Sequence, residues 1–168
     1  MCKFLLDLLK PPKIPFPEEP MHPLATVGTV SVMEVLNRWM SDYEVPLPHR
    51  SWWLSKIVIM LDPELAYPAC TWEENSVRYM KVRPEWLNPG VIAHEQAHNS
   101  YALLTEQLKL DFAATFETEK YSSRLLKVLF KTNTYGLTSA VEGHAEVYRY
   151  CGQSMPVALK PYYPKLID

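Results

Sequence analysis

Read by its apolar positions, the chain divides into stretches of helical and of extended periodicity. Through "VMEVLNRWMSDY" apolar residues recur three and four apart, and Ser31 followed by Glu34 is a capping box, so a short amphipathic helix is predicted there. Pro46 and Pro48 predict that "EVPLPH" is non-helical. "SKIVIML" is β-branched and apolar, and "ENSVRYMKV" alternates with the two-residue period of a half-buried strand; together they predict a small antiparallel or mixed sheet. Asn88 as N-cap and Pro89 at the first helical position open a helix expected to run to about Gln107, with Ala93, Ala97, Leu104 and Leu108 as its core-facing stripe. A second long helix is expected through "FAATFETEKYSSRLLKVLF", where Leu125, Leu126, Leu129 and Phe130 recur at helical spacing. A third runs from Ser139 as N-cap to Gly152 as stop. The closing "QSMPVALKPYYPKLID" reads as an irregular tail on the surface. The fold class is therefore α+β.

At 168 residues the chain suits one compact unit with a real core. Within it, residues 1–50 form an arm rich in proline, from Pro11 to Pro23 above all, with one short helix; residues 51–168 carry the sheet and the long helices. A net charge of -2 gives no basic surface for phosphate, so no nucleic-acid partner is expected. Cys2, Cys70 and Cys151 are odd in number and lack C-x-x-C spacing, which fits a reducing compartment better than a disulfide framework. "MCKFLLDLLK" is broken by Asp7 and lacks a small-residue cleavage site, and no apolar run reaches the roughly 18 residues of a membrane span. The expectation is a cytoplasmic protein with no membrane partner.

The chemistry gathers in "VIAHEQAHNSYALL". His94 and His98 stand four apart, so on a helix both imidazoles can face one ion, while Glu95 lies about 100° further round, within reach of a water on that ion. Chance gives H-E-x-x-H in about 1% of chains of this length and composition. A catalytic zinc takes three protein ligands and leaves one position open, so a third ligand is required. Tyr101 and Leu104 stand where the metzincin pattern needs Gly and His, and Cys70 in "PACTW" lacks the Gly-Cys-Leu setting of the deformylases. On the third predicted helix, "AVEGHAEVY" offers Glu142 and Glu146 on one face, with His144 pointing elsewhere.

"HEQAH" followed by "EGHAE" on a later helix resembles the gluzincin metallopeptidases, and the small size is similar to that of the minigluzincins. The resemblance spans roughly residues 52–150 and implies a zincin-like domain over 51–168, in which a small sheet packs on the active-site helix. It implies one zinc ion held by His94, His98 and Glu142, Glu95 as general base, and Glu146 hydrogen-bonded to His94. Alternatives stand beside these roles. Ser139-x-x-Glu142 is also a capping box, Glu117 in "FETEK" competes as third ligand, and Glu146 also suits a solvated carboxylate paired with Arg149. Tyr135 and Tyr148 are the candidates to stabilise an oxyanion.

Two imidazoles and one carboxylate leave zinc a net positive charge, which lowers the pKa of its water from 15.7 toward roughly 7, and Glu95 is placed to take the proton and pass it to a leaving amine. Peptide or protein hydrolysis is the expected activity. A zinc-containing binding protein without catalysis and a hydrolase of small amides are the alternatives. "SVRYMKV" is expected at a sheet edge beside the cleft, where an extended peptide can add as a strand. Either residues 10–30 or the tail after Gly152 is a candidate to cross the cleft and hold the enzyme latent, against the simpler role of covering apolar surface.

Overall fold

The computed structural model describes residues 32–167. The Pro11–Pro23 succession, the capping role of Ser31 and the reading of "MCKFLLDLLK" fall outside the described residues, as does any strand cover or latency supplied by the N-terminal arm.

Helix α1 (Val32–Asp42) buries Val35, Leu36, Trp39 and Met40, as its three-four spacing requires. The next stretch corrects the sequence expectation. Pro48 lies in the first turn of a helix, α2 (Leu47–Lys56), where a missing N–H leaves no helical bond unmade. Ser55 and Lys56 therefore close a helix, and strand β1 begins only at Ile57.

Three strands, β1 (Ile57–Leu61), β2 (Ala69–Glu74) and β3 (Val77–Val82), form one sheet in the order β1-β3-β2. β1 runs parallel to β3, pairing Ile57 with Arg78 and Leu61 with Val82, while β2 runs antiparallel to it. The sheet is mixed because of β2, which the sequence reading passed over. β2 and β3 make a hairpin through Asn75 and Ser76, both left-handed at φ 51° and 61°, as a tight two-residue turn requires. β3 alternates between half-buried and buried residues, as its period predicted, but it is the central strand; β2 is the edge beside the next helix.

Helix α3 (Pro89–Ala102) begins as expected, with the Asn88 side chain accepting the Val91 N–H at 3.0 Å. It ends at Ala102 rather than near Gln107, because Thr105 caps a new helix, α4 (Glu106–Ser122). Leu104 is buried in the link, whereas Leu108 lies on α4 and is largely exposed. α3 is enclosed nearly all round: Val91 to Ala97 are all buried, His94 among them, while His98 is partly buried.

The expected second helix is two. Ser123, extended at φ -70° and ψ 125°, ends α4 and caps α5 (Arg124–Thr132) by accepting the Leu126 N–H. The break folds α5 back so that Phe130 meets Phe116 edge-to-face at 5.5 Å; Leu126 and Phe130 are buried while Leu125 is exposed.

Helix α6 (Ala140–Cys151) follows the sequence reading, with Ser139 accepting the Glu142 N–H and Gly152 leaving the helix at φ +48°. The tail is not a surface segment. Leu159, Tyr163, Leu166 and Ile167 are buried, and the Pro164 carbonyl accepts from Ser100 of α3 at 2.8 Å. The architecture is α+β: a mainly helical body with α3 and α6 in contact at its centre, and a small mixed sheet set against α3 through β2. Among the described residues, no helix is long and apolar enough to cross a membrane.

Candidate metal centre

α3 presents His94 and His98 one turn apart, and the first turn of α6 brings Glu142 to them. The two Nε2 atoms are 3.0 Å apart with the rings nearly perpendicular. Glu142 Oε2 stands 3.4 Å from His94 Nε2 and 3.6 Å from His98 Nε2. This oxygen is buried yet makes no hydrogen bond. Three ligating atoms thus converge within 4.8 Å of one another, a group able to hold a metal ion.

The sequence offered Glu142 two roles, and they divide between its atoms. The backbone N–H meets the Ser139 hydroxyl at 3.1 Å, while the carboxylate turns toward the imidazoles. Glu117 is exposed on α4 and paired with Lys120 at 2.7 Å, away from the cluster.

Glu146, one turn after Glu142, is 1% exposed and so not a solvated helix carboxylate. Its Oε1 accepts from His94 Nδ1 at 2.6 Å and lies 3.6 Å from an Arg149 guanidinium nitrogen. Its Oε2 accepts from the Asn133 side-chain amide. Once the Nε2 proton leaves, as a bound metal requires, the remaining His94 proton is held on Nδ1 by Glu146 and the Nε2 lone pair is directed to the cluster. Glu95 is buried beside this group.

The site's electrostatics follow from burial. Three carboxylates, Glu95, Glu142 and Glu146, face one guanidinium, Arg149, in poorly solvated surroundings, which leaves an excess of two negative charges. The protein groups alone answer by retaining protons. Burial pushes Glu95 up to about 7 against the pull of His94, with the Glu142 charge adding to the rise. Burial opposes the charged form of His94, but the carboxylates of Glu142 and Glu146 carry it up to about 10. Burial takes His98 the other way, down to about 4. A divalent cation supplies the missing charge directly, and the donor set of two imidazoles and one carboxylate is of the kind that binds one.

The Tyr135–Leu137 turn lies flat on α6 because two glycines meet there. A Cβ on Gly143 would stand 2.6 Å from the Phe116 ring and 2.9 Å from the Gly136 carbonyl; one on Gly136 would stand 2.6 Å from the Phe130 ring. This contact sets Tyr135 against the cluster, with its ring centroid 6.1 Å from that of His94. Burial raises the phenol's pKa, and the Glu142 charge raises it further, so its proton is retained. Tyr148, the other candidate, is in the core between Tyr43 and Tyr163 at ring distances of 5.4 and 5.9 Å. Two residues past Glu146, it projects from the opposite side of α6. His144 points away from the cluster as expected, into the core: it stacks on Tyr163 at 3.9 Å, and its Nε2 meets the Tyr162 carbonyl at 2.7 Å.

Asn133 escaped the sequence reading because it lies between two elements, where no periodicity marks a partner thirteen residues away. Arg149 was visible only as a surface partner for Glu146. No family model matches the chain, and its comparison with curated proteins and with solved structures finds no match. What the protein does is therefore carried by the chemistry of this cluster.

Proposed function

We propose that the protein is a zinc-dependent peptidase of the gluzincin kind, with His94, His98 and Glu142 as ligands of one zinc ion and Glu95 as general base. The observation that carries the reading is the Glu142 carboxylate oxygen, buried without a hydrogen bond and aimed at both imidazole Nε2 atoms. The H-E-x-x-H and E-x-x-x-E patterns support it.

Zinc held there supplies a Lewis acid that polarises a carbonyl and brings the pKa of water toward 7. The protein's own groups do the rest. Glu95, which a bound cation would hold ionised, would accept a proton from the attacking water and return it to the leaving amine. Glu146 holds the His94 proton on Nδ1, which keeps Nε2 a donor to the metal. Tyr135 keeps its phenolic proton, which Glu142 engages in the metal-free site, and with Glu142 turned to a metal it would stand beside the cluster to donate to an oxyanion. A peptide substrate is favoured over a small amide by β2, the sheet edge tied to α3 through Thr71 and Asn99 at 3.2 Å, where an extended chain can add as a strand.

The test is Glu95→Gln assayed on a mixture of unfolded protein substrates, with zinc content measured alongside. Zinc should stay bound at the wild-type stoichiometry while turnover falls by about 10²- to 10⁴-fold. A wild-type rate in the variant would overturn the assignment.

A further inference from the structure

Glu146 meets three polar side chains, those of His94, Arg149 and Asn133, and Asn133 also bonds the backbone of Tyr135 beside the cluster. Asn133 is 4% exposed and lies just past α5, where its own N–H closes the helix on the Leu129 carbonyl at 3.0 Å. The two ends of its side-chain amide do different things. The nitrogen donates to Glu146 Oε2, the carboxylate oxygen not engaged by His94. The oxygen accepts the backbone N–H of Tyr135 at 3.2 Å, which fixes how the chain enters the turn that sets Tyr135 against the cluster. One planar group thus fixes the orientation of the Glu146 carboxylate and the start of the tyrosine turn relative to each other.

We infer that Asn133 is a positioning residue for the metal centre: through Glu146 it orients His94, and through the Tyr135 backbone it sets the phenol beside the same ligand cluster. The inference rests on the reading of His94, His98 and Glu142 as metal ligands, and makes no use of the peptidase assignment. A buried carboxylate that keeps His94 and Arg149 on one oxygen but loses Asn133 from the other can pivot about the first, and the imidazole moves with it. The backbone end acts separately, because an aspartate at 133 keeps an oxygen for the Tyr135 N–H while removing the donor to Glu146 and setting a second carboxylate against it.

Asn133→Ala and Asn133→Asp, each with the full chain, test this with cobalt(II) as the probe. Affinity is read by competition with a chelator, geometry by the visible absorption bands of bound cobalt, and fold by the melting temperature of the metal-free protein. Both variants should bind cobalt about 10- to 100-fold more weakly with shifted bands. Asn133→Asp, which retains the acceptor for Tyr135, should keep the tyrosine's near-ultraviolet absorption closer to that of the wild type than Asn133→Ala does. Unchanged affinity and bands in either folded variant, against a wild type that binds cobalt, would overturn the role of Asn133 and leave the metal centre standing. A wild type that binds no cobalt would overturn both. Should Asn133→Asp not fold, Asn133→Ser, which keeps a hydroxyl donor of shorter reach, should recover part of the affinity lost in Asn133→Ala; no recovery would count against the inference.

Discussion

Binding a divalent cation at His94, His98 and Glu142 should displace protons in a number that the site's charge fixes. His94 titrates near 10, so at pH 8 it holds a proton on each ring nitrogen, and the one on Nε2 must leave before a metal can bind. His98 titrates near 4 and is already neutral. Glu95, near 7, is mostly ionised at pH 8 and mostly protonated at pH 6, and a nearby dication favours its ionised form. Metal binding should therefore release at least one proton at pH 8, from His94, with the water that zinc takes toward a pKa of roughly 7 adding to the count, and about two at pH 6, from His94 and Glu95. Calorimetric titration of metal-free protein with zinc, repeated in buffers of different ionisation enthalpy, gives the number from the dependence of the observed heat on the buffer. In Glu95→Gln the count at pH 6 should fall to close to one, because the Glu95 proton is no longer there to be displaced. Release of no proton at pH 8 would refute the reasoning, since it would mean that His94 is not held charged by Glu142 and Glu146.

The remaining predictions concern the parts that hold or use the site. Gly143→Ala should lower stability by about 2 kcal/mol in urea unfolding, because the overlap with Phe116 and the Gly136 carbonyl outweighs the helix propensity gained; equal or higher stability would contradict the close packing of the tyrosine turn. Burial pushes His144 down to about 3, below its unfolded value, so its contribution to stability is present above pH 6.5 and is lost as the pH falls toward 3, about tenfold in the folding constant per pH unit. His144→Phe, which keeps a ring against Tyr163 without a titrating group, should flatten the fall of stability between pH 6.5 and 4 by that factor, and an identical slope would refute the assignment. Tyr135→Phe should reduce kcat by about 10²-fold with little change in KM, and an unchanged kcat would remove the phenol from the reaction.

Local signals were legible in the sequence where a residue's partner lies within one turn. The Asn88 and Ser139 caps, the Gly152 stop and the pairing of His94 with His98 on one face all follow from spacing along a single helix. The errors lie where tertiary contact decides. Pro48 was read as a helix breaker, although a first-turn proline leaves no hydrogen bond unmade. β2 ends in acidic residues and shows no clean alternation, so its pairing with β3 was missed, and with it the reason why β1 and β3 run parallel. The tail's prolines forbid a long helix but do not prevent Leu159, Tyr163 and Leu166 from entering the core. At the site, periodicity placed Glu142 and Glu146 on one face of a helix, but it could not say which oxygen turns where. The division of Glu142 between a capped backbone and a carboxylate aimed at the histidines depends on the packing of α6 against α3.

The central claim is that these three side chains hold a catalytic metal, and anomalous scattering at the zinc edge, from crystals grown with zinc, tests it most directly. The predicted result is a single peak about 2.0–2.2 Å from His94 Nε2, His98 Nε2 and a Glu142 oxygen, with the fourth position held by water and Glu95 facing it. A peak elsewhere, or a site closed by a fourth protein ligand, would contradict it.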